Sequence, residues 1–138
     1  MKKIVLLIGL FLMLGCTQAV DTGPKGSIDW VTDLPAAKEL ALEQGKPILI
    51  DFYADWCSWC RRMDSDVYAN MQVAEKAKQF ICVKIDTQEQ PDVAENYKVR
   101  GLPTTAFLTS KAEKIDIIPG YLPPEDFLKK MQSVLKAQ

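Results

Sequence analysis

Histidine is absent from this sequence of 138 residues, and cysteine is sparse, with four residues. The missing histidine argues against a metal-binding or copper-delivery module, because such sites usually use imidazole or several sulfur ligands. The chain also lacks a basic face and any interleaving of aromatic with basic residues, which argues against binding of nucleic acid. No internal repeat or low-complexity segment is present. These absences leave a small globular protein as the class to consider.

A hydrophobic run long enough to span a membrane is also missing. The longest run, Ile4 to Leu14, follows the positive start Met1-Lys2-Lys3 and falls short of the roughly 20 residues that a spanning helix needs. This pattern predicts a secretory signal peptide over residues 1–15. Leu12 to Cys16 resembles a bacterial lipobox, with Met13 where leucine is usual, so we expect Cys16 to be lipidated. The alternative is ordinary signal cleavage near Ala19.

The rest of the chain divides into a tether and one domain. Residues 16–27 are small and polar and read as a flexible tether, and residues 28–138 suit a single domain. Without Lys2 and Lys3, 15 basic residues face 18 acidic ones, a net charge of −3. We expect a monomer held by a lipid anchor on the periplasmic side of a bacterial membrane. Thr17 is not the aspartate that signals retention in the inner membrane, which favours the outer membrane.

The segment Ile48 to Cys60 carries the chemistry that the sequence indicates. Its apolar, β-prone first half predicts a buried strand, and the pair Cys57 and Cys60 follows where a helix should begin. Unpaired N–H groups and the helix dipole at that position stabilise a Cys57 thiolate, which is the nucleophile of thiol–disulfide exchange. Cys60, one turn on, would be the resolving thiol. A disulfide that only staples the loop is the alternative, but closing so short a loop removes little chain entropy.

Two segments carry a family resemblance. Asp51 to Cys60, with its Trp-Cys-x-x-Cys and an acidic residue six positions before the first cysteine, resembles the active-site segment of the thioredoxin superfamily. Gly101 to Thr104 resembles the cis-proline loop of that family. The stretch Asp51 to Cys57 is similar to the C-terminal domain of DsbD-type electron transporters. The resemblance, which runs from about Trp30 to the C-terminus, implies an α/β thioredoxin fold without cofactor, a mixed sheet of four to five strands flanked by helices on both faces.

The resemblance also implies roles for residues around the cysteines. Asp51 would be a buried acid that takes the proton of Cys60; the alternative is an aspartate in solvent at the strand end. Pro103 would follow a cis peptide bond and pack against the disulfide. The backbone beside Pro103, at Leu102 and Thr104, would pair with a substrate chain.

An apolar rim is expected around the sulfurs. Its members would be Trp56, Trp59, Leu102 and Tyr121, with ordinary packing as the alternative for Trp56 and Tyr121. The remaining cysteine, Cys82, reads as a small buried hydrophobe in mid-strand. Cys82 and Lys84 share the strand face on which many thioredoxins carry a lysine near the buried acid, and the sequence does not decide which of them occupies that place.

The order of elements expected from the pattern is βαβ, then α, then a β-hairpin, then α. The expected strands and helices are Ser27–Val31 (edge strand), Pro35–Gln44 (helix), Ile48–Ala54 (central strand), a helix from Ser58 to Gln79 that breaks around Ser65–Asn70, Phe80–Asp86 (strand), Asp92–Tyr97 (helix), the hairpin strands Thr104–Thr109 and Ile115–Ile118, and Pro124–Lys136 (helix).

The dipeptide between the cysteines bears on the direction of the reaction. Ser58-Trp59 is neither the Gly-Pro of thioredoxins nor a pair that contains the histidine of strong oxidants and isomerases. Without a cationic imidazole beside Cys57, the reduced form is less stabilised, which favours a membrane-tethered disulfide reductase. It would act on oxidised exported proteins and receive electrons from a membrane donor of the DsbD or CcdA type. The alternatives are an oxidase or isomerase of the same fold and a non-enzymatic metal- or peptide-binding lipoprotein.

Overall fold

A computed structural model describes residues 25–138. The signal peptide, Cys16 and most of the tether expected from the sequence lie outside this range. The described chain contains five strands and five α-helices, with a π-helical segment between the second and third helices. In chain order they are β1 (Trp30–Val31), α1 (Leu34–Gln44), β2 (Ile48–Tyr53), α2 (Ser58–Arg62), the π-helical segment (Met63–Tyr68), α3 (Met71–Ala77), β3 (Ile81–Asp86), α4 (Pro91–Asn96), β4 (Thr104–Leu108), β5 (Lys114–Pro119) and α5 (Pro124–Lys136).

The five strands form one mixed sheet in the order β1-β3-β2-β4-β5. Strands β1, β3 and β2 are parallel, and β4 runs antiparallel to both β2 and β5. Thr104, the first residue of β4, lies opposite Phe52 near the end of β2. The loop that carries the cysteine pair and the loop that carries Pro103 therefore emerge at the same edge of the sheet, and the predicted mixed sheet is confirmed.

Strand β2 is buried on both faces and sends alternate side chains to two separate clusters. Ile48, Ile50 and Phe52 pack with α1 and α4. Leu49 faces the opposite side, where the π-helical segment, α3 and α5 cover the sheet. Because successive side chains of a strand point to opposite faces, Asp51 lies on the same side as Leu49.

Local signals in the sequence set the limits of the helices. The Asp33 carboxylate accepts a hydrogen bond from the Ala36 N–H at 2.9 Å and caps α1, which ends at Gly45 with a positive φ of 63°. The Asn70 side chain caps α3 by accepting hydrogen bonds from the Gln72 and Val73 N–H groups. Aspartate and asparagine are among the residues that N-cap positions favour.

The expected break after α2 takes another form. The chain stays helical through the π-helical segment, and the Ala69 N–H donates to the Asp64 carbonyl five residues earlier at 3.1 Å. Asn70 then leaves the helical conformation and starts α3, which ends at Ala77. The sequence located the irregularity but missed its form, since a π-helix is chosen by tertiary packing of the side chains it turns inward.

The edge strand is shorter than expected. Only Trp30 and Val31 pair with β3, whereas the sequence predicted a strand from Ser27. Just before it, the Gly26 N–H donates to the Ala69 carbonyl at 2.9 Å. The last residues of the expected tether therefore lie against the start of α3.

Candidate active site

A disulfide joins Cys57 and Cys60 at the start of α2. Cys57 is the cap residue, and its sulfur accepts a hydrogen bond from the Cys60 N–H at 3.1 Å. The first turn of the helix thus directs an N–H group at this sulfur, which is the arrangement that stabilises a thiolate after reduction. In the oxidised pair both cysteines are buried, with Cys57 4% and Cys60 3% exposed.

Asp51 lies inside the protein and not in solvent. The residue is 1% exposed. Burial raises the pKa of its carboxyl from 3.8 to about 6, although the charge of Lys84 and a hydrogen bond from Tyr68 act in the opposite direction. A carboxyl with such a pKa changes its protonation near neutral pH, which suits a group that accepts and returns a proton.

Lys84 occupies the place that the sequence left open between Lys84 and Cys82. The two residues Asp51 and Lys84 are direct partners in the β2–β3 ladder, and the Lys84 Nζ lies 3.5 Å from an Asp51 oxygen. The same ammonium forms an ion pair with Asp64 of the π-helical segment. The lysine therefore links the buried acid to a second carboxylate nearer the surface.

Cys82, in contrast, points into the cluster beneath α3. Its sulfur lies 3.6 Å from the Ala77 carbonyl, and burial raises the pKa of its thiol to about 12. A thiol with that pKa stays protonated at neutral pH and is a poor nucleophile. This agrees with the reading of Cys82 as a small hydrophobe.

Two members of the Asp51 network were missed by sequence reasoning. The Tyr68 hydroxyl donates to Asp51 Oδ1 at 2.9 Å, and Asp64 pairs with Lys84. Both come from the π-helical segment, which was expected to be a break in the helix. No sequence signal pointed to either residue, because the contacts depend on how the helix turns after Arg62.

The Leu102–Pro103 peptide bond is cis, as the resemblance implies. The Pro103 carbonyl accepts a hydrogen bond from the Gly120 N–H at 2.7 Å, and the Thr104 hydroxyl donates to the Gly101 carbonyl at 2.7 Å. Within residues 25–138, the Leu102 backbone N–H and carbonyl form no hydrogen bond. Hydrogen bonds thus hold the loop on both sides of Leu102. The backbone groups of Leu102 itself can form hydrogen bonds with another chain.

Two of the residues predicted to form a rim, Trp56 and Trp59, adjoin the cysteines in the chain and have exposed side chains. Trp56 is 67% and Trp59 52% exposed, which excludes ordinary packing for Trp56. Tyr121 is half-buried, and its ring centroid lies 5.6 Å from that of Trp59. Leu102 is also half-buried. Exposed apolar side chains next to a redox pair suit contact with an unfolded or extended client.

Arg62 holds part of this rim and was not singled out from the sequence. Its guanidinium lies 5.3 Å from the Trp59 ring centroid and 5.5 Å from that of Tyr121. Asp66 accepts from the Arg62 Nε at 3.1 Å, and these contacts lower the pKa of the Asp66 carboxyl, with its hydrogen bond from Ser65 the largest cause. The arrangement fixes the orientation of Trp59 through cation–π contact.

No other chemistry is evident at this edge. Over residues 25–138, no group of three or more candidate ligand side chains comes together in a way that could hold a metal ion. The same part of the chain contains no helix with the length and hydropathy needed to cross a membrane.

Comparison with known proteins agrees with this geometry. A family model described as thioredoxin-like matches residues 29–110. The chain belongs to the thioredoxin-like family. A thioredoxin from Thermus thermophilus superimposes with a TM-score of 0.71 and 27% identity over 79% of this chain and 88% of that one. With its Cys-x-x-Cys pair, the described domain is a thiol:disulfide oxidoreductase of thioredoxin fold.

Curated relatives are similar over the same region. The chain is 31% identical over 121 residues to the thioredoxin-like protein HCF164 of rice chloroplasts, covering 88% of this chain and 44% of the rice protein. It is 27% identical over 110 residues to the thiol:disulfide interchange protein DsbD of Campylobacter jejuni, covering 77% of this chain and 19% of that protein. The chain thus spans less than two thirds of these relatives, which carry further segments.

Proposed function

We propose that this protein is an exported, membrane-tethered disulfide reductase that reduces oxidised proteins through Cys57 and Cys60. The observation that carries the proposal is the cysteine pair at the start of α2, which follows a strand that carries the buried carboxyl of Asp51, whose pKa is raised to about 6. The reducing direction is supported by Ser58-Trp59 and by the absence of histidine from the whole sequence. No cationic imidazole is present to stabilise the Cys57 thiolate and so make the disulfide more oxidising.

The reaction proceeds through a mixed disulfide. The Cys57 thiolate attacks one sulfur of a client disulfide, and the other client sulfur leaves with the electron pair as a thiolate. Cys60 then attacks the Cys57 sulfur, which forms the Cys57–Cys60 disulfide and releases the first client sulfur as a thiolate. The client gains two electrons, and the pair loses two.

Asp51 would handle the proton of the second step. Cys60 must lose its proton before its sulfur can attack, and the Asp51 carboxylate accepts it directly or through a water molecule. Asp51 is the fourth of the six residues of β2, the strand that precedes the cysteine pair in the chain. A replacement by asparagine should slow release of the mixed disulfide near neutral pH, which single-turnover measurements between pH 6 and 8 would detect.

The client would bind along the cis-proline loop. The free backbone groups of Leu102 can pair with an extended client segment, in the manner of an added strand. Trp56 and Trp59, next to the cysteines in the chain, offer exposed apolar surface. Recognition through backbone and aromatic contact favours exposed cysteine segments of many sequences over one folded partner.

The tether and the electron supply belong to the same proposal. A lipid on Cys16 would hold the domain on the periplasmic side of a membrane, and a donor of the DsbD or CcdA type would re-reduce the pair. Labelled fatty acid should be incorporated by the wild type and not by Cys16→Ala. Absence of label in the wild-type protein from its native host would contradict the anchor while leaving the redox activity unaffected.

The equilibrium potential of the Cys57–Cys60 pair tests the direction. We expect a value well below about −120 mV, which is that of the oxidant DsbA, and nearer to about −270 mV, which is that of thioredoxin. Trp59→His should raise the potential, because an imidazolium near Cys57 favours the thiolate. Alkylation of free thiols in cells should find the pair at least partly reduced, and oxidised after deletion of the membrane donor. A potential near the DsbA value with a fully oxidised pair would indicate an oxidase.

A further inference from the structure

We infer that Tyr68 is a positioning residue for Asp51, whose hydroxyl holds the carboxyl in the ionisable state that resolution of the mixed disulfide requires. The inference rests on the proposed role of Asp51 as the acceptor of the Cys60 proton. It assigns to the π-helical segment a place in the chemistry, through a side chain that acts on the Asp51 carboxyl.

The Tyr68 side chain is held by close packing and by a hydrogen bond. It is buried, its ring packs edge-on against Trp30 at 5.0 Å between centroids, and Phe127 lies 5.7 Å away on another side. Its hydroxyl donates to Asp51 Oδ1 at 2.9 Å. A phenol held in this way has little freedom to turn away from the carboxylate when a proton arrives or leaves.

The chemistry of the phenol suits a permanent donor. Burial, with the charge of Asp51, raises the pKa of Tyr68 well above 10. The hydroxyl therefore keeps its proton throughout the range in which Asp51 ionises. A hydrogen bond from a neutral donor favours the charged form of the carboxyl and lowers its pKa, in opposition to burial.

Other groups that face Asp51 also influence the pKa of its carboxyl. Lys84 of β3 is its cationic neighbour, Asp64 of the π-helical segment is an anionic one, and Thr105 of β4 is its neutral partner in the sheet. Lys84 is shared between Asp51 and Asp64, so its charge is not devoted to the buried acid alone. Tyr68 is the neutral donor to Asp51, and its hydroxyl also forms a hydrogen bond with the Thr105 side chain.

The π-helical geometry directs the Tyr68 hydroxyl toward Asp51. The hydrogen bond from the Ala69 N–H to the Asp64 carbonyl marks the wider turn. The same turn presents Asp64 to Lys84 and Tyr68 to Asp51. Wide turns of this kind occur frequently at functional sites, where they re-aim side chains.

The experiment measures the pKa of Asp51 by carboxyl ¹³C NMR in the wild type, in Tyr68→Phe and in Tyr97→Phe. Phenylalanine keeps the ring and removes only the hydroxyl, so the pKa of Asp51 should rise by about one pH unit in Tyr68→Phe. Tyr97, which packs on Phe52 on the other face of the sheet, is the matched control and should leave the pKa unchanged. The pH profile for resolution of a mixed disulfide should shift upward by the same amount in Tyr68→Phe alone.

A second measurement keeps the test independent of the folding of Tyr68→Phe. In the wild type, the Tyr68 Cζ chemical shift should titrate near pH 6, and in Asp51→Asn it should not. An unchanged Asp51 pKa in Tyr68→Phe, or a Tyr68 signal that is constant from pH 5 to 8, would overturn the inference whatever the kinetics. A shifted pKa with an unshifted rate profile would instead contradict Asp51 as the proton acceptor and leave the positioning of its carboxyl standing.

Discussion

The two faces of the central sheet are built from the same strands but differ in content. The face toward α1 and α4 is packed with aliphatic side chains such as Ile48 and Ile50 and holds no buried charge among the described residues. The opposite face is richer in aromatic residues and includes the carboxyl of Asp51 beside the ammonium of Lys84. The face toward α1 and α4 needs only close packing. The opposite face must bury the Asp51 carboxyl and still allow it to gain and lose a proton.

The two faces differ in stability because burial of the Asp51 carboxylate is unfavourable. A buried carboxyl is less stable in its charged form than one in water, and the raised pKa of Asp51 is the measure of that penalty. The penalty falls on Asp51 in β2, the strand that precedes the cysteine pair in the chain. Three predictions, on the cysteine pair, on Ile50 and on Asp51, test whether the faces are separable in this way.

The largest effect, a loss of reductase activity, is expected from replacement of the two cysteines. Cys57→Ser should reduce insulin no faster than the uncatalysed reaction, because the attacking sulfur is gone. Cys60→Ser should accumulate mixed disulfides with clients, since Cys57 still attacks and nothing resolves the product. Gel analysis of trapped complexes distinguishes the two.

The control for this pair is Cys82→Ala, which removes a buried thiol outside the site and should keep reductase activity. If Cys57→Ser were the better trap, the roles of the two cysteines would be reversed. Activity lost in the Cys82 variant at a temperature where it is folded would extend the chemistry beyond the Cys57–Cys60 pair.

An intermediate effect, a loss of stability, is expected from a change on the face toward α1 and α4. Ile50→Ala removes a fully buried side chain next to Asp51 in the chain but on the opposite side of the sheet. The free energy of unfolding should fall by about 2–5 kcal/mol in urea denaturation. The potential of the cysteine pair should stay within about 30 mV of the wild-type value, which corresponds to about 1.4 kcal/mol. A larger change in potential would mean that the faces are coupled.

The smallest expected effect is a gain in stability from Asp51→Asn. The folded protein holds the Asp51 proton up to about pH 6 and the unfolded chain only up to about 3.8, so wild-type stability falls as pH rises between these values. Asparagine does not ionise, so the variant should be more stable than the wild type by up to about 3 kcal/mol at pH 7. Below pH 4 the difference should vanish.

Urea denaturation at pH 4 and pH 7 measures this difference, with Asp92→Asn as the control on an exposed aspartate of α4. Equal stabilities of Asp51→Asn and the wild type at both pH values would show that burial of Asp51 carries no net penalty. That outcome would place its carboxyl in a better-solvated environment than the fold indicates.

Much of the fold and of the central site could be predicted because the signals are local. The apolar run Ile48 to Tyr53 predicts a buried strand, and the caps Asp33 and Asn70 mark helix starts within a few residues. The positions of Cys57 and Cys60 at a helix start follow from the same short stretch. The cis bond before Pro103 was expected from resemblance to the family, because base rates for such bonds are only about 5–6%.

What the sequence by itself determined was the order of elements, the redox pair and the acid at the end of the strand before it. Only the tertiary structure decided which charge and which hydroxyl face that acid. Lys84 was separated from Cys82 by the register between β2 and β3, and Tyr68 and Asp64 were aimed inward by the π-helical segment. Strand register and helix winding are chosen by packing between segments distant in the chain, and a local pattern of residues does not encode them.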